Sequence, residues 1–198
     1  MRVFYRTWIL PLLMAISHPS TAEPNHGIDN LFTPQRMPDA HCTISVSNPF
    51  VDYGVMSRWQ MQDLPNRQVT PGIRSTMVNV VCPHSRPIKL LVQGEVNETG
   101  HLRYGDRGYT RFRLLDVELD GNAAELRPLS PDGALAEAAS EALALASGQR
   151  LIAVSSGRVI EGKMLTARLE IQPTLGEENA RVSSMHRSES QLTLTLID

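Results

Sequence analysis

Short segments of alternating apolar and polar residues, divided by Gly, Pro and Asn, run along the chain from Cys42 onward. Alternation with a period of two places successive side chains on opposite faces of a strand, and many short strands predict an antiparallel sandwich. The fold class is therefore predicted to be all-β. The candidate strands are residues 43–47, 51–55, 73–82, 88–93, 109–119, 150–154, 165–171 and 191–198.

One segment departs from this pattern. Residues 134–146 are rich in strong helix formers and end at Ser147-Gly148. Apolar residues recur there at helical spacing, namely Leu135, Ala138, Ala139, Ala142, Leu143 and Ala146. We predict one short surface helix that packs on the sandwich. A helix lying on a membrane is disfavoured, because its polar face carries Glu rather than Lys.

The first 22 residues have the pattern of an export signal. Arg2 and Arg6 precede an apolar run over residues 8–16, and small residues follow at Ser20-Thr21-Ala22. The apolar run is shorter than the roughly 20 residues that a membrane-spanning helix needs. We predict a cleaved signal peptide at residues 1–22 and a mature chain without stable membrane insertion. A retained membrane anchor is the alternative.

Charge and composition argue against a nucleic-acid partner. Removal of the signal leaves seventeen basic and twenty-one acidic residues, a formal charge of −4. Nucleic-acid-binding proteins cluster Lys and Arg on one element, whereas Arg is scattered here and Lys occurs only at Lys89 and Lys163. Aromatic residues, on which single-stranded bases stack, make up only 5% of the chain. We therefore predict no nucleic-acid binding.

Cys42 and Cys82 are the only cysteines, and both lie in the exported part of the chain. An oxidising compartment favours their pairing. A bond closing a loop of about 40 residues stabilises the fold by roughly 4 kcal/mol on the chain-entropy model. The alternative is a zinc site that adds His41 and His84. It is disfavoured because neighbours on a strand point to opposite faces, so that His41 faces away from Cys42.

The sequence contains no recognisable catalytic motif. It has no Gly-x-Ser-x-Gly elbow, no Gly-rich phosphate loop and no His-Glu-x-x-His, so we predict neither an enzyme nor a cofactor. Asp116, Glu118 and Asp120 alternate along one candidate strand; they form either a Ca²⁺ site or, as we favour, a solvated charged face. Asn97-Glu98-Thr99 matches an N-glycosylation sequon, and Ser155-Ser156-Gly157 reads as a hairpin turn.

The order of these features resembles the subunits of chaperone-usher pili. A polar arm at residues 23–41 precedes a cysteine that opens the first strand, Cys42-Thr43-Ile44-Ser45-Val46. Tyr53-Gly54 follows, and a second cysteine closes the long strand at residues 77–82. Leu165-Thr166-Ala167-Arg168-Leu169 and an alternating C-terminal strand complete the match. The resemblance implies an immunoglobulin-like sandwich over residues 42–198 that lacks its last strand.

In that family the missing strand leaves a hydrophobic groove beside the C-terminal strand. A strand of a periplasmic chaperone fills the groove first. At the outer-membrane usher, the N-terminal arm of a neighbouring subunit then replaces the chaperone strand by donor-strand exchange. The resemblance implies that the chain passes through the periplasm to the cell surface, in a fimbrium that contributes to cell adhesion.

The family's residue roles transfer as follows. The disulfide corresponds to Cys42 and Cys82, and the groove-bordering strand to Leu192, Leu194 and Leu196, with the Asp198 carboxylate anchored by the chaperone. The donor arm corresponds to Ile28, Asn30 and Phe32.

Three positions depart from the family pattern. Ile197 stands where Tyr is usual, Ser184-Met185 where Gly is usual, and Thr33-Pro34 shortens the arm. These departures favour a minor, adaptor or terminating subunit over the main shaft protein. The alternative function is an independently folded secreted sandwich that binds a glycan or a host protein.

Overall fold

The computed structural model describes residues 41–136, 143–181 and 185–197. The regular structure of these ranges consists of β-strands, one turn of 3-10 helix at Arg58–Gln60 and one short helix, α1, at Glu177–Ala180. The strands are β1 (Thr43–Val46), β2 (Gln62–Leu64), β3 (Gln68–Thr70), β4 (Arg74–Pro87), β5 (Lys89–Gln93), β6 (Arg103–Tyr104), β7 (Gly108–Leu119), β8 (Asn122–Ala123), β9 (Glu125–Leu129), β10 (Leu143–Ala144), β11 (Arg150–Ser155), β12 (Arg158–Val159), β13 (Glu161–Gly176) and β14 (Thr193–Ile197).

The larger sheet is built around β13, the longest strand. β4 pairs with one edge of β13 and β7 with the other, both antiparallel. β1 extends the sheet beyond β4, and the β2–β3 hairpin pairs with the C-terminal end of β13. The short strands β6, β8 and β10 all pair with β7.

The smaller sheet has the order β9, β11, β5, β14, with every pair antiparallel. β12 returns along β11 through the turn at Ser156-Gly157, where both residues have positive φ. Such φ values are typical of the tight turns that join two strands of a hairpin. The predicted hairpin turn at this position is confirmed.

The core lies between the two sheets and is built from inward-facing aliphatic side chains. Every second residue is buried from Thr76 to Cys82 in β4, at Leu90 and Val92 in β5, and from Leu165 to Leu169 in β13. The side chains with less than 2% exposure include Val78, Val80, Ile88, Leu90, Val92, Leu114, Leu151, Val154 and Leu165. The predicted all-β sandwich is confirmed, and the one short α-helix of the described ranges is α1. Within the described ranges, no helix is both long and apolar enough to cross a membrane.

The prediction of a helix at residues 134–146 is wrong. The structure describes the two ends of this segment, and both form β-bridges or strand pairs. Leu135 forms an isolated β-bridge with Leu129, and Leu143–Ala144 is β10, in which Leu143 pairs with Leu114. Residues 137–142 lie outside the described ranges. The edge of β7 gives β10 backbone partners, and Leu143 becomes 8% exposed, so tertiary pairing outweighs the helical propensity of the segment.

One strand prediction also needs correction. Residues 51–55 form no strand; Gly54 has a positive φ of 71°, and its N–H donates to the Asp52 carboxylate at 2.8 Å. This local bond supplies the backbone with a partner outside any sheet. The helix α1 lies outside the predicted helix at residues 134–146, and its first turn carries Glu177 and Glu178.

Candidate strand-binding groove

β14 is an edge strand of the smaller sheet. It pairs with β5 from Thr193↔Gln93 to Ile197↔Lys89. No strand in the described ranges pairs with its opposite edge. An edge of this kind presents unpaired backbone N–H and C=O groups, which another strand can use.

The inward-facing side chains of β14 are less buried than their partners on β5. Leu194 and Leu196 lie opposite Val92 and Leu90, and paired residues share one face of the sheet. Val92 and Leu90 are 0% exposed, whereas Leu194 and Leu196 are only partly buried, as is Leu192 just before β14. All three leucines pack against the core. The core is therefore fully covered at β5 and partly open at β14.

On the larger sheet, the side chains of β1 are likewise less buried than those of its partner β4. Ile44 and Val46 lie opposite Val80 and Val78, which are 0% exposed. Ile44 and Val46 themselves are partly buried and pack against the same core. β1 and β14 lie near each other, yet they do not pair. The two edges therefore border an apolar groove, which we call the β1–β14 groove.

One end of the β1–β14 groove widens into a cavity of about 170 Å³. Its lining comes from both walls of the groove and from the β4–β5 connection, namely His41, Cys42, Arg86, Pro87, Ile88, Lys89, Leu196 and Ile197. The apolar part of this lining comes from Cys42, Pro87, Ile88, Leu196 and Ile197.

Cys42 and Cys82 form a disulfide, as predicted. The register that pairs Thr43 with Val81 also brings the two cysteines opposite each other. Because both sulfurs are in the disulfide, neither is a thiolate that could bind zinc, and the alternative with His41 and His84 is wrong. Among the described residues no three His, Cys, Asp or Glu side chains form a metal-binding group.

The acidic residues Asp116, Glu118 and Asp120, in β7 and just after it, are all exposed, which favours the solvated charged face. Asp116 and Asp120 also make protein contacts. Asp116 accepts a hydrogen bond from Arg168 at 2.7 Å, and this bond raises the pKa of the guanidinium, with Glu170 adding to the effect. The Asp120 carboxylate accepts the backbone N–H groups of Lys163 and Met164 at 3.0 and 2.8 Å. Asp116 and Asp120 both have positive φ, which breaks the simple alternation assumed from the sequence.

The remaining predicted site residues lie outside the described ranges. These are Ile28, Asn30 and Phe32 of the arm and the C-terminal Asp198. Their roles stay predictions, as do the roles of the three leucines in β14. Sequence reasoning missed the wall formed by Ile44 and Val46, although their alternation directly after Cys42 is the signal that indicates it.

Comparison with known proteins adds no assignment. No model of a protein family matches this chain, and no curated protein matches it in sequence.

Proposed function

We propose that this chain is a structural subunit of a chaperone-usher type pilus, which assembles by donor-strand exchange and contributes to cell adhesion. The observation that carries the proposal is the difference in burial across β5 and β14. Leu194 and Leu196 stay partly buried while the residues paired with them are fully buried. A strand added beside β14 would both cover these leucines and form hydrogen bonds with the backbone groups along the edge of β14.

The energetics favour such an added strand. Each apolar side chain that becomes fully buried contributes roughly 1.5 to 3 kcal/mol, so three or four donated side chains give a gross gain of about 5 to 12 kcal/mol. The ordering of the donated segment and the loss of its freedom reduce this gain. The backbone bonds along the edge supply affinity that does not depend on sequence, while the apolar side chains set the register.

The proposal names the partners and the route of the chain. A periplasmic chaperone supplies the first strand, the outer-membrane usher is the site of exchange, and the arm of a neighbouring subunit supplies the final strand. In the same proposal Ile28, Asn30 and Phe32 of this chain enter the groove of another subunit, and the fibre lies on the cell surface. The disulfide supports this route, because such bonds persist in oxidising compartments.

The proposal is tested by expressing the full chain with its own leader in a bacterial periplasm, together with the chaperone and usher of a chaperone-usher system. Size-exclusion chromatography with mass spectrometry then identifies what elutes with the chain. We expect a complex with a second polypeptide. Leu194→Arg should abolish the complex because it places a charge in the groove. Thr195→Arg is the matched control, since Thr195 lies on the exposed face of the same strand.

One result would contradict the proposal. If the unmodified chain elutes as a monomer that binds no chaperone and resists denaturant as a complete domain does, strand acceptance is not its function. That result would favour the independently folded sandwich that binds a glycan or a host protein.

A further inference from the structure

The loop between β5 and β6 forms a tight surface turn. Val96 and Leu102 form an isolated antiparallel bridge at its base. Above them the Asn97 N–H donates to the His101 carbonyl at 2.8 Å, and the Gly100 N–H donates to the Asn97 carbonyl at 3.0 Å. Gly100 supplies the positive φ of 80° that the turn needs. Residues 98–101 are exposed, so the tip of the turn is open to solvent.

The side chain of Asn97 is held through its carbonyl oxygen alone. Oδ1 accepts hydrogen bonds from the Thr99 N–H at 3.1 Å, the Thr99 hydroxyl at 2.8 Å and the His101 N–H at 2.9 Å. These donors fix the orientation of the amide, because an NH₂ group cannot accept a backbone N–H. No hydrogen bond within the described ranges involves Nδ2 of Asn97. The amide nitrogen therefore has no protein partner in the described ranges, on a partly exposed residue next to the exposed tip of the turn.

We propose that Asn97 is an acceptor site for an N-linked glycan. Asn97-Glu98-Thr99 is the only Asn-x-Ser/Thr sequence in the chain, and its middle residue is not Pro. Glu95 lies two residues before Asn97, so the sequon also has an acidic residue on its N-terminal side. Because only Nδ2 reacts, Oδ1 keeps its three hydrogen bonds, and the turn holds the glycan without rearranging.

The transfer uses a glycan carried on a lipid pyrophosphate. Nδ2 attacks the anomeric carbon of the first sugar, and a new C–N bond forms as the bond from that carbon to the pyrophosphate oxygen breaks. The lipid pyrophosphate leaves with the electron pair. Nδ2 loses one proton to a base of the transferase. No oxidant or reductant is involved, and the turn contributes only the positioned amide.

The glycan site lies away from the cavity of the β1–β14 groove. The cavity is at the Lys89 end of β5, whereas residues 94–102 follow the Gln93 end. Gly94, at the base of the turn, lies against the Gln191 carbonyl, two residues before β14. A glycan on Asn97 therefore projects beyond the far end of the groove. The inference requires only that the chain meets the transferase, and it does not depend on strand acceptance.

The test is glycosylation of the purified, folded full chain in vitro. The chain is incubated with a detergent-solubilised bacterial oligosaccharyltransferase and a lipid-pyrophosphate-linked oligosaccharide, and peptide mass mapping locates the product. We expect one glycan, on the peptide that contains Asn97. Asn97→Asp and Thr99→Ala should each abolish the modification, whereas Thr99→Ser should retain it. Asn97→Asp is the matched control, because its carboxylate accepts the same three hydrogen bonds and lacks the amide nitrogen.

Two internal standards make a negative result decisive. A synthetic peptide of residues 93–101 reports whether the sequon itself is accepted, and an unrelated acceptor peptide in the same mixture reports whether the enzyme is active. Thermal melting confirms that each variant is folded. The inference is overturned if the active enzyme leaves the folded chain unmodified, whether or not it modifies the 93–101 peptide.

Discussion

At the scale of single residues, Tyr53 ties the loop between β1 and β2 to the larger sheet. Its hydroxyl donates to the Ile171 carbonyl at 3.0 Å, and the Arg74 guanidinium lies 5.8 Å from the centre of its ring. Burial raises the pKa of Tyr53 to about 12, and the positive charge of Arg74 opposes the rise only in part. The neutral phenol is therefore the form that the fold stabilises.

This pKa predicts a loss of stability at alkaline pH. An unfolded Tyr ionises near pH 10.0, while the folded Tyr53 stays neutral until about pH 12. The stabilisation is complete below pH 10.0 and is lost as the pH rises through this window, because ionisation then favours the unfolded chain. Tyr53→Phe should be about 1 kcal/mol less stable at neutral pH, since the hydrogen bond is lost.

The measurement is the free energy of unfolding as a function of pH, for both forms of the chain. The difference between the original chain and Tyr53→Phe should narrow between pH 10.0 and about 12. A difference that stays constant across this window would contradict the assigned environment of Tyr53.

At the scale of elements, the disulfide fixes β1 to β4 at the start of one groove wall. Cys42 directly precedes β1, and Cys82 lies within β4. The bond closes a long loop, so its main effect is to reduce the freedom of the unfolded chain. We predict that the double variant Cys42→Ala, Cys82→Ala is less stable by about 2 to 5 kcal/mol.

Urea unfolding measures this loss, with reduction of the disulfide as the control. A reducing agent should destabilise the original chain by a similar amount and leave the double variant unchanged. If the two proteins unfold at the same urea concentration under oxidising conditions, the disulfide does not stabilise the fold as we describe.

The elements also show how far the sequence predicts this fold. β4, β7, β13 and β14 were predictable because each is long or clearly alternating, and each faces the core on one side. The β2–β3 hairpin and β9 were missed. β9 contains Pro128, which lowers its strand propensity, and β2 and β3 have three residues each. Such strands form because a neighbouring edge offers backbone partners, and a local pattern does not contain that information.

At the scale of the whole molecule, the sequence predicts which residues of the last strand face inward, but it does not predict that a groove remains open beside them. Alternation in the last strand indicates that Leu192, Leu194 and Leu196 face inward. Leu90 and Val92 on β5 have the same alternation, yet they are fully buried. Periodicity therefore predicts which face a residue occupies, but it does not predict whether another strand follows in the sheet. That distinction depends on the order of strands in space, and only the structure gives it.

The measurement that tests strand acceptance most directly is amide hydrogen exchange along β14. It compares the chain released from its co-purified partner with the chain in complex with a strand-donating polypeptide. β5 pairs on both sides, so its amides should be protected in both samples. In the released chain, the β14 amides that point away from β5 should exchange rapidly, and in the complex they should become protected. If all β14 amides are as protected as those of β5 in the released chain, the edge is already paired and the account is wrong.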